Sequence, residues 1–250
     1  MTDLFQCAMD IGEQMLVSGA EVQRVEESIG RMCYAFGAKR VDVFIITSSM
    51  VVTVHKEDGA TYTQTRRVTT TKFNVERLHR LNQLSREICR KQMTVEEIQE
   101  KLEQAMACKQ YPAWLEFVSS AMIAGAFTLF FGGSWVESIV SFLIGAFVWV
   151  CLYLVEKTIP TKMFSKFYAS AIATLVAFLT AKAGWIPNMD KVIIGNIMTL
   201  IPGIGLTNAI RDLFAGDSIA GLLRLIDAGL AALAIAAGYY LIAVLGGFFL

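Results

Sequence analysis

The sequence contains no CxxC pair, no Cys/His cluster at metal-ligand spacing, and only two histidines, His55 and His79. A protein metal site needs several such ligands at set intervals, so a metal is not expected. The five cysteines, Cys7, Cys33, Cys89, Cys108 and Cys151, are scattered, and the last falls in an apolar run. They read as free thiols of a reducing cytoplasm, serving as small buried residues. There is no P-loop, dinucleotide fingerprint or nucleophile elbow. Nothing therefore points to a catalytic centre, an enzyme or a cofactor. Long runs of like charge are also missing and the formal net charge is zero, which argues against a charged tail and against nucleic acid as a partner. Met1-Thr2-Asp3-Leu4 lacks a basic residue, and Asp10 and Glu13 interrupt any apolar core, so the start does not read as a signal peptide.

What the chain has in plenty is apolar sequence, 55% of its 250 residues. The charges avoid it: 15 of the 22 basic and 15 of the 22 acidic residues lie within residues 1–110. The composition breaks near Tyr111-Pro112. The expected fold is an α-helical integral membrane protein of about five transmembrane helices, preceded by a small α+β cytoplasmic domain. Residues 1–110 form the cytoplasmic domain and 111–250 the transmembrane domain.

In the first domain, Leu4, Ala8, Ile11, Met15, Ser18, Val22, Val25, Ile29, Met32 and Phe36 recur at spacings of three and four. That is one apolar helical stripe, with Gly19 placed to break it into two helices and Gly37 placed to stop it. Val41 to Thr47, Met50 to His55 and Thr61 to Val68 read as strands, with a turn at Glu57-Asp58-Gly59. Asn74 is placed to cap a helix bearing Leu78, Leu81, Leu84 and Ile88. Thr94 and Glu97 have the spacing of a capping box. Ser18, Glu21, Arg24 and Glu26 make a polar group beside Gly19, read as surface salt bridging.

In the second domain, apolar spans are expected from about Trp114 to Phe131, Val136 to Val155, Phe167 to Ala183, onward from Val192, and from Ile219 to Leu245. Tyr111 and Trp114 are placed as interfacial anchors, and Glu137 near an interface. Lys101, Lys109, Lys157, Lys162 and Lys166 favour a cytoplasmic first domain and 156–166 loop, while Lys182 and Lys191 count mildly against it. The fourth span is interrupted by Asn196, Thr199, Pro202, Gly203, Gly205, Thr207 and Asn208. A proline removes a backbone donor and clashes with the preceding turn. Broken backbone at membrane depth must be satisfied by protein or line a cavity, and transporters use such breaks to meet substrate. Arg224 and Asp227 lie three apart in the fifth span, so they share a helix face. One reading makes Arg224–Asp227 and Arg211–Asp217 neutralising pairs. The other makes Asp227 a proton carrier and Arg211 or Arg224 a substrate carboxylate site.

The run Pro202-Gly203-Ile204-Gly205-Leu206-Thr207-Asn208-Ala209-Ile210-Arg211-Asp212-Leu213, with Ala215-Gly216-Asp217, Ala220-Gly221 and Arg224, resembles the signature of the threonine/serine exporter family. Ser18-Gly19-Ala20-Glu21-Val22 with Arg24-Val25-Glu26 resembles its N-terminal motif, and Phe130-Phe131-Gly132-Gly133-Ser134 its first transmembrane hairpin. The resemblance implies the larger subunit of an inner-membrane, proton-driven exporter, with a second small membrane subunit as partner. It implies threonine and serine as cargo, or a dicarboxylate such as succinate. On that reading the path holds Asn196, Thr199, Pro202, Gly203, Gly205, Thr207 and Asn208. Arg211 or Arg224 holds a carboxylate, and Asp212, Asp217 or Asp227 handles protons. A membrane-anchored regulatory or scaffold protein is the rival from another class.

Overall fold

The computed structural model describes residues 2–91, 93–108, 111–156 and 162–249. The apolar stripe at the start forms two helices, α1 (Thr2–Val17) and α2 (Val22–Ala35). They part where the stripe meets Gly19, whose φ of +92° a side chain would oppose. Three strands follow, β1 (Arg40–Ile46), β2 (Ser49–His55) and β3 (Thr61–Arg67). They form an antiparallel meander in the order β1-β2-β3, with Val43 opposite Val52 and Val52 opposite Gln64. In β2, buried Met50, Val52 and Val54 alternate with half-buried neighbours, which is the period-two pattern of a sheet with one covered face. Helices α3 (Val75–Arg90) and α4 (Val95–Met106) complete this part. The Asn74 side chain accepts the Arg77 amide at 2.9 Å, and Thr94 and Glu97 form the full capping box at the start of α4.

The apolar sequence forms α5 (Ala113–Phe130), α6 (Trp135–Glu156), α7 (Lys162–Lys182), α8 (Met189–Met198), α9 (Gly203–Ala215) and α10 (Ser218–Phe249). Four of these, α5, α6, α7 and α10, are long and apolar enough to cross a membrane; α8 and α9 together make a fifth candidate, bent by 60° at the break. The chain is thus an α-helical protein with four to five candidate membrane spans and a small three-stranded sheet near its start. The third apolar helix begins earlier than the expected Phe167. Lys109 and Lys157, two of the charges used for orientation, lie outside the described residues.

By packing, the chain divides into two compact units, one of Met1–Lys109 with Gly205–Leu225, the other of Gln110–Ile204 with Ile226–Leu250. The first unit is built on Met9, Ile11 and Met15 of α1, Val22, Val25, Ile29 and Met32 of α2, Met50 and Val52 of β2, Leu81 of α3 and Ile98 of α4. Each such side chain, fully buried, contributes roughly 1.5–3 kcal/mol. Ala220, from the first turn of α10, belongs to the same core.

The second unit packs by small residues. Ala169, Ala173 and Ala177 of α7 meet Ile144 and Val148 of α6, Val192 and Ile193 of α8, and Ile235 of α10. At Gly195 the α8 backbone comes so close to α5 that an added Cβ would stand 2.8 Å from the Ala124 carbonyl oxygen. Lipid tails are as apolar as leucine, so helices in a bilayer hold together by such close approach and by polar contacts between them.

Candidate functional site

In the first unit, two of the three motifs that carry the family resemblance are brought together. The turn between α1 and α2 offers the carbonyls of Gly19 and Ala20 and the first amide of α2 to side chains of α9 and α10. The Glu21 side chain does not cap that helix. Asp212 of α9 takes its place: its Oδ1 accepts the Val22 N–H at 3.3 Å. A helix start leaves amides without partners and carries partial positive charge, so a carboxylate there is favoured. Arg224 completes the arrangement. Its Nη2 donates to the Ala20 carbonyl at 2.8 Å, and its Nε lies 3.4 Å from Asp212 Oδ2. That last contact is an ion pair without hydrogen-bond geometry, which leaves Oδ2 buried with no donor. Asn208 Nδ2 donates to the Gly19 carbonyl at 3.2 Å, and Arg211 pairs with Glu21.

The pairing differs from that of the neutralising-pair reading. Arg224 pairs with Asp212 instead of Asp227, and Arg211 with Glu21 instead of Asp217. The reason is the tight turn at Gly216, which folds α10 back along α9. Gly221 then lies against the Ala209 carbonyl, and an added Cβ there would stand 2.9 Å from it. Arg224 faces α9, while Asp227, one turn on, is exposed. Asp217 sits in that turn, its amide donating to the Asp212 carbonyl at 2.9 Å.

Glu26 is the second carboxylate of note in this unit. Half-buried on α2, it accepts the Ile45 amide at 3.0 Å. Burial, against that hydrogen bond and with help from the charge of Asp217, pushes its pKa up to about 7 from the ordinary 4.5. A carboxyl that holds its proton more tightly folded than unfolded adds stability in full below about pH 4.5, and that stability is lost as pH rises towards 7. Glu26→Gln is expected to flatten the fall in thermal unfolding midpoint between those pH values, measured on the whole protein. An unchanged slope would show that Glu26 does not titrate there.

In the second unit, a buried polar group joins α5, α6 and α8. Thr128 Oγ1 donates to Ser141 Oγ at 2.7 Å, Ser141 Oγ donates to the Ala124 carbonyl at 3.1 Å, and Asn196 Nδ2 donates to Ser141 Oγ at 2.8 Å. Asn196 is 3% exposed and its Oδ1 has no partner among the described residues. Thr199 Oγ1 bonds back to the Asn196 carbonyl at 2.7 Å, just before the break. Pro202 follows, and α9 restarts at Gly203.

Glu137, in the first turn of α6, is fully buried. Its Oε2 accepts the Ser134 amide and its Oε1 the Asn188 amide, both at 2.7 Å. The spacing Ser134-x-x-Glu137 is the capping-box pattern and was readable in the sequence. Ser141 and Thr128 carried no such signal. The expected site residues divide between the units: Asn196, Thr199, Pro202, Gly203 and Asp227 fall in the second, and Gly205, Thr207, Asn208, Arg211, Asp212, Asp217 and Arg224 in the first.

Several apolar helices, one candidate span broken at a proline and a buried polar group beside the break mark a polytopic membrane protein. Residues 6–246 match the model of the ThrE family, described as putative threonine/serine exporter, and the chain belongs to that family. It is 25% identical to pheromone-regulated membrane protein 10 of Eremothecium gossypii over 91% of this chain, spanning only 34% of that relative's length. It is also 25% identical to the probable succinate transporter subunit YjjP of Klebsiella aerogenes, over 93% of this chain and 88% of that one. The protein of the same name from Escherichia coli is 23% identical over 90% of this chain and 87% of its own. No solved structure matches the chain.

Proposed function

We propose that this chain is a subunit of a secondary exporter of small polar metabolites in the cell inner membrane, coupled to protons, with its N-terminal domain cytoplasmic. The observation that carries the reading is the α8–α9 break inside an apolar candidate span, with Asn196 and Thr199 on one side and Thr207 and Asn208 on the other. Discontinuous helices present their ends to substrate, the N-terminal end of the second half to an anionic group. The residues proposed for the path are Asn196, Thr199, Pro202, Gly203, Gly205, Thr207 and Asn208. Arg211 is 59% exposed and among the described residues pairs only with Glu21, so a substrate carboxylate can take its guanidinium by displacing that partner. Arg224 is committed to Asp212 and Ala20, which suits a latch that must open and close. Asp227 is exposed on α10 and carries the proton; Asp212 and Asp217 stand at the latch.

Threonine or serine is the cargo the family description supports. A dicarboxylate such as succinate is the second reading, favoured by the names of the two YjjP relatives. Those names, which call the relatives subunits, also support a second small membrane protein as partner. The test is export of labelled threonine and labelled succinate from cells holding both subunits, at matched membrane abundance. One of the two is expected to be exported, at least about tenfold slower in Arg211→Ala and in Asp227→Asn, a loss of about 1.4 kcal/mol or more. Collapse of the proton gradient is expected to stop it. Export of neither, with both subunits in the membrane, sinks the proposal and returns the scaffold reading.

A further inference from the structure

A groove of about 690 Å³ runs along α3 in the first unit. Two neighbouring ridges of α3, each advancing by four residues, form its floor: Leu78, Asn82, Arg86 and Arg90 on one, and Val75, His79, Gln83, Glu87 and Lys91 on the other. Arg24 of α2 adds a further cation to the lining. The 16 residues of α3 give the floor a length of roughly 24 Å. Its two ends differ in chemistry. Val75 and Leu78 make the start apolar, with Val75 63% exposed. Arg86, Arg90 and Lys91 make the far end basic.

The charge is not balanced from within. Glu87 is the one carboxylate of the lining, and it is already bound by Lys101 at 2.6 Å and Lys91 at 3.6 Å. Arg24, Arg86 and Arg90 form no ion pair among the described residues. Two other arginines of these helices have acidic partners, Arg31 with Glu27 and Arg80 with Glu76. Three unpaired guanidiniums on one groove repel each other and raise the local concentration of anions. A guanidinium forks onto phosphate with two parallel hydrogen bonds. The volume is that of a small-molecule site, and the amides of Asn82 and Gln83 lie between the two ends.

We propose that this groove binds a ligand carrying two or more phosphates joined to an apolar or ring moiety, the phosphates at Arg24, Arg86 and Arg90 and the apolar part at Val75 and Leu78. A nucleoside polyphosphate has that chemistry in solution, and a phospholipid headgroup offers phosphate from the membrane. This site is independent of the transport reading and stands or falls without it.

The test is calorimetric titration of the full chain in uncharged detergent with ATP, AMP, inorganic tripolyphosphate and a short-chain phosphatidylglycerol. Saturable binding of ATP, tighter than AMP and competed by tripolyphosphate, is expected. It should weaken at least about tenfold in Arg24→Ala and about a hundredfold in the Arg86→Ala/Arg90→Ala double variant, since each charge-assisted contact is worth about a factor of ten or more. Arg80→Ala, whose partner is Glu76, should leave it unchanged. Binding of phosphatidylglycerol alone, with the same dependence on the three arginines, would support the phosphate assignment and name the membrane as its source. Binding of none of these, or affinities indifferent to all three arginines in variants with unchanged thermal midpoints, would overturn it.

Discussion

Arg224→Ala is expected to destabilise the first unit by about 3–5 kcal/mol, because it strands a buried charge. Asp212 is 1% exposed, and the Arg224 side chain, 14% exposed, is the cation paired with it. Removing the guanidinium leaves the carboxylate, among the described residues, with only the Val22 amide and leaves the Ala20 carbonyl without the Arg224 donor. Thermal unfolding of the purified full chain reads the effect. The double variant Arg224→Ala/Asp212→Ala should be less destabilised than the sum of the two single variants, because neither buried charge then lacks its partner. Strict additivity would mean that the pair is not coupled. Arg211→Ala is the contrast. Its pair with Glu21 is solvated, and exposed pairs are worth about 0–1 kcal/mol, so its stability should barely change even where export fails.

Gly195→Ala is expected to cost about 3 kcal/mol in the second unit, the upper end of what overpacking does. The new methyl would meet the Thr128 side chain and would stand 2.8 Å from the Ala124 carbonyl oxygen and 2.9 Å from the Thr128 amide nitrogen. Two of those three atoms are backbone, so no rotamer change relieves the clash; α8 and α5 must move apart. Their separation pulls Asn196 off Ser141, so transport should fall with stability. Gly229→Ala is the control. Its added Cβ meets nothing within 4 Å, so it should be neutral or mildly stabilising through helix propensity. Equal thermal midpoints for the two variants would show that α5 and α8 are not closely packed at Gly195.

Much of the local structure was legible because it rests on local physics. The spacing of Leu4 through Phe36 marked a helical stripe, and Gly19 marked its interruption. Asn74, Thr94 and Glu97 announced their helix starts because a cap is a contact across three residues. Pro202 marked the break because it lacks an N–H whatever surrounds it. The partners of the charges were not legible. Arg224 and Asp227 are three apart in sequence, and a helix rule joins them, yet Arg224 reaches Asp212 across a turn and Ala20 across 204 positions. Helix phase decides which side a residue lies on, but it does not say what will be packed there.

The sequence by itself determined the membrane class, the α+β start, the places where helices begin and break, and membership of the family, each of which depends on hydropathy or on interactions within a few residues. Only the tertiary structure decided that residues 205–225 pack with the N-terminal residues, that Asp212 caps α2, and that Asn196 meets Ser141. Those contacts join segments that are far apart in the chain. They are selected by the burial of whole helix faces, and that selection leaves no pattern in any short stretch of residues.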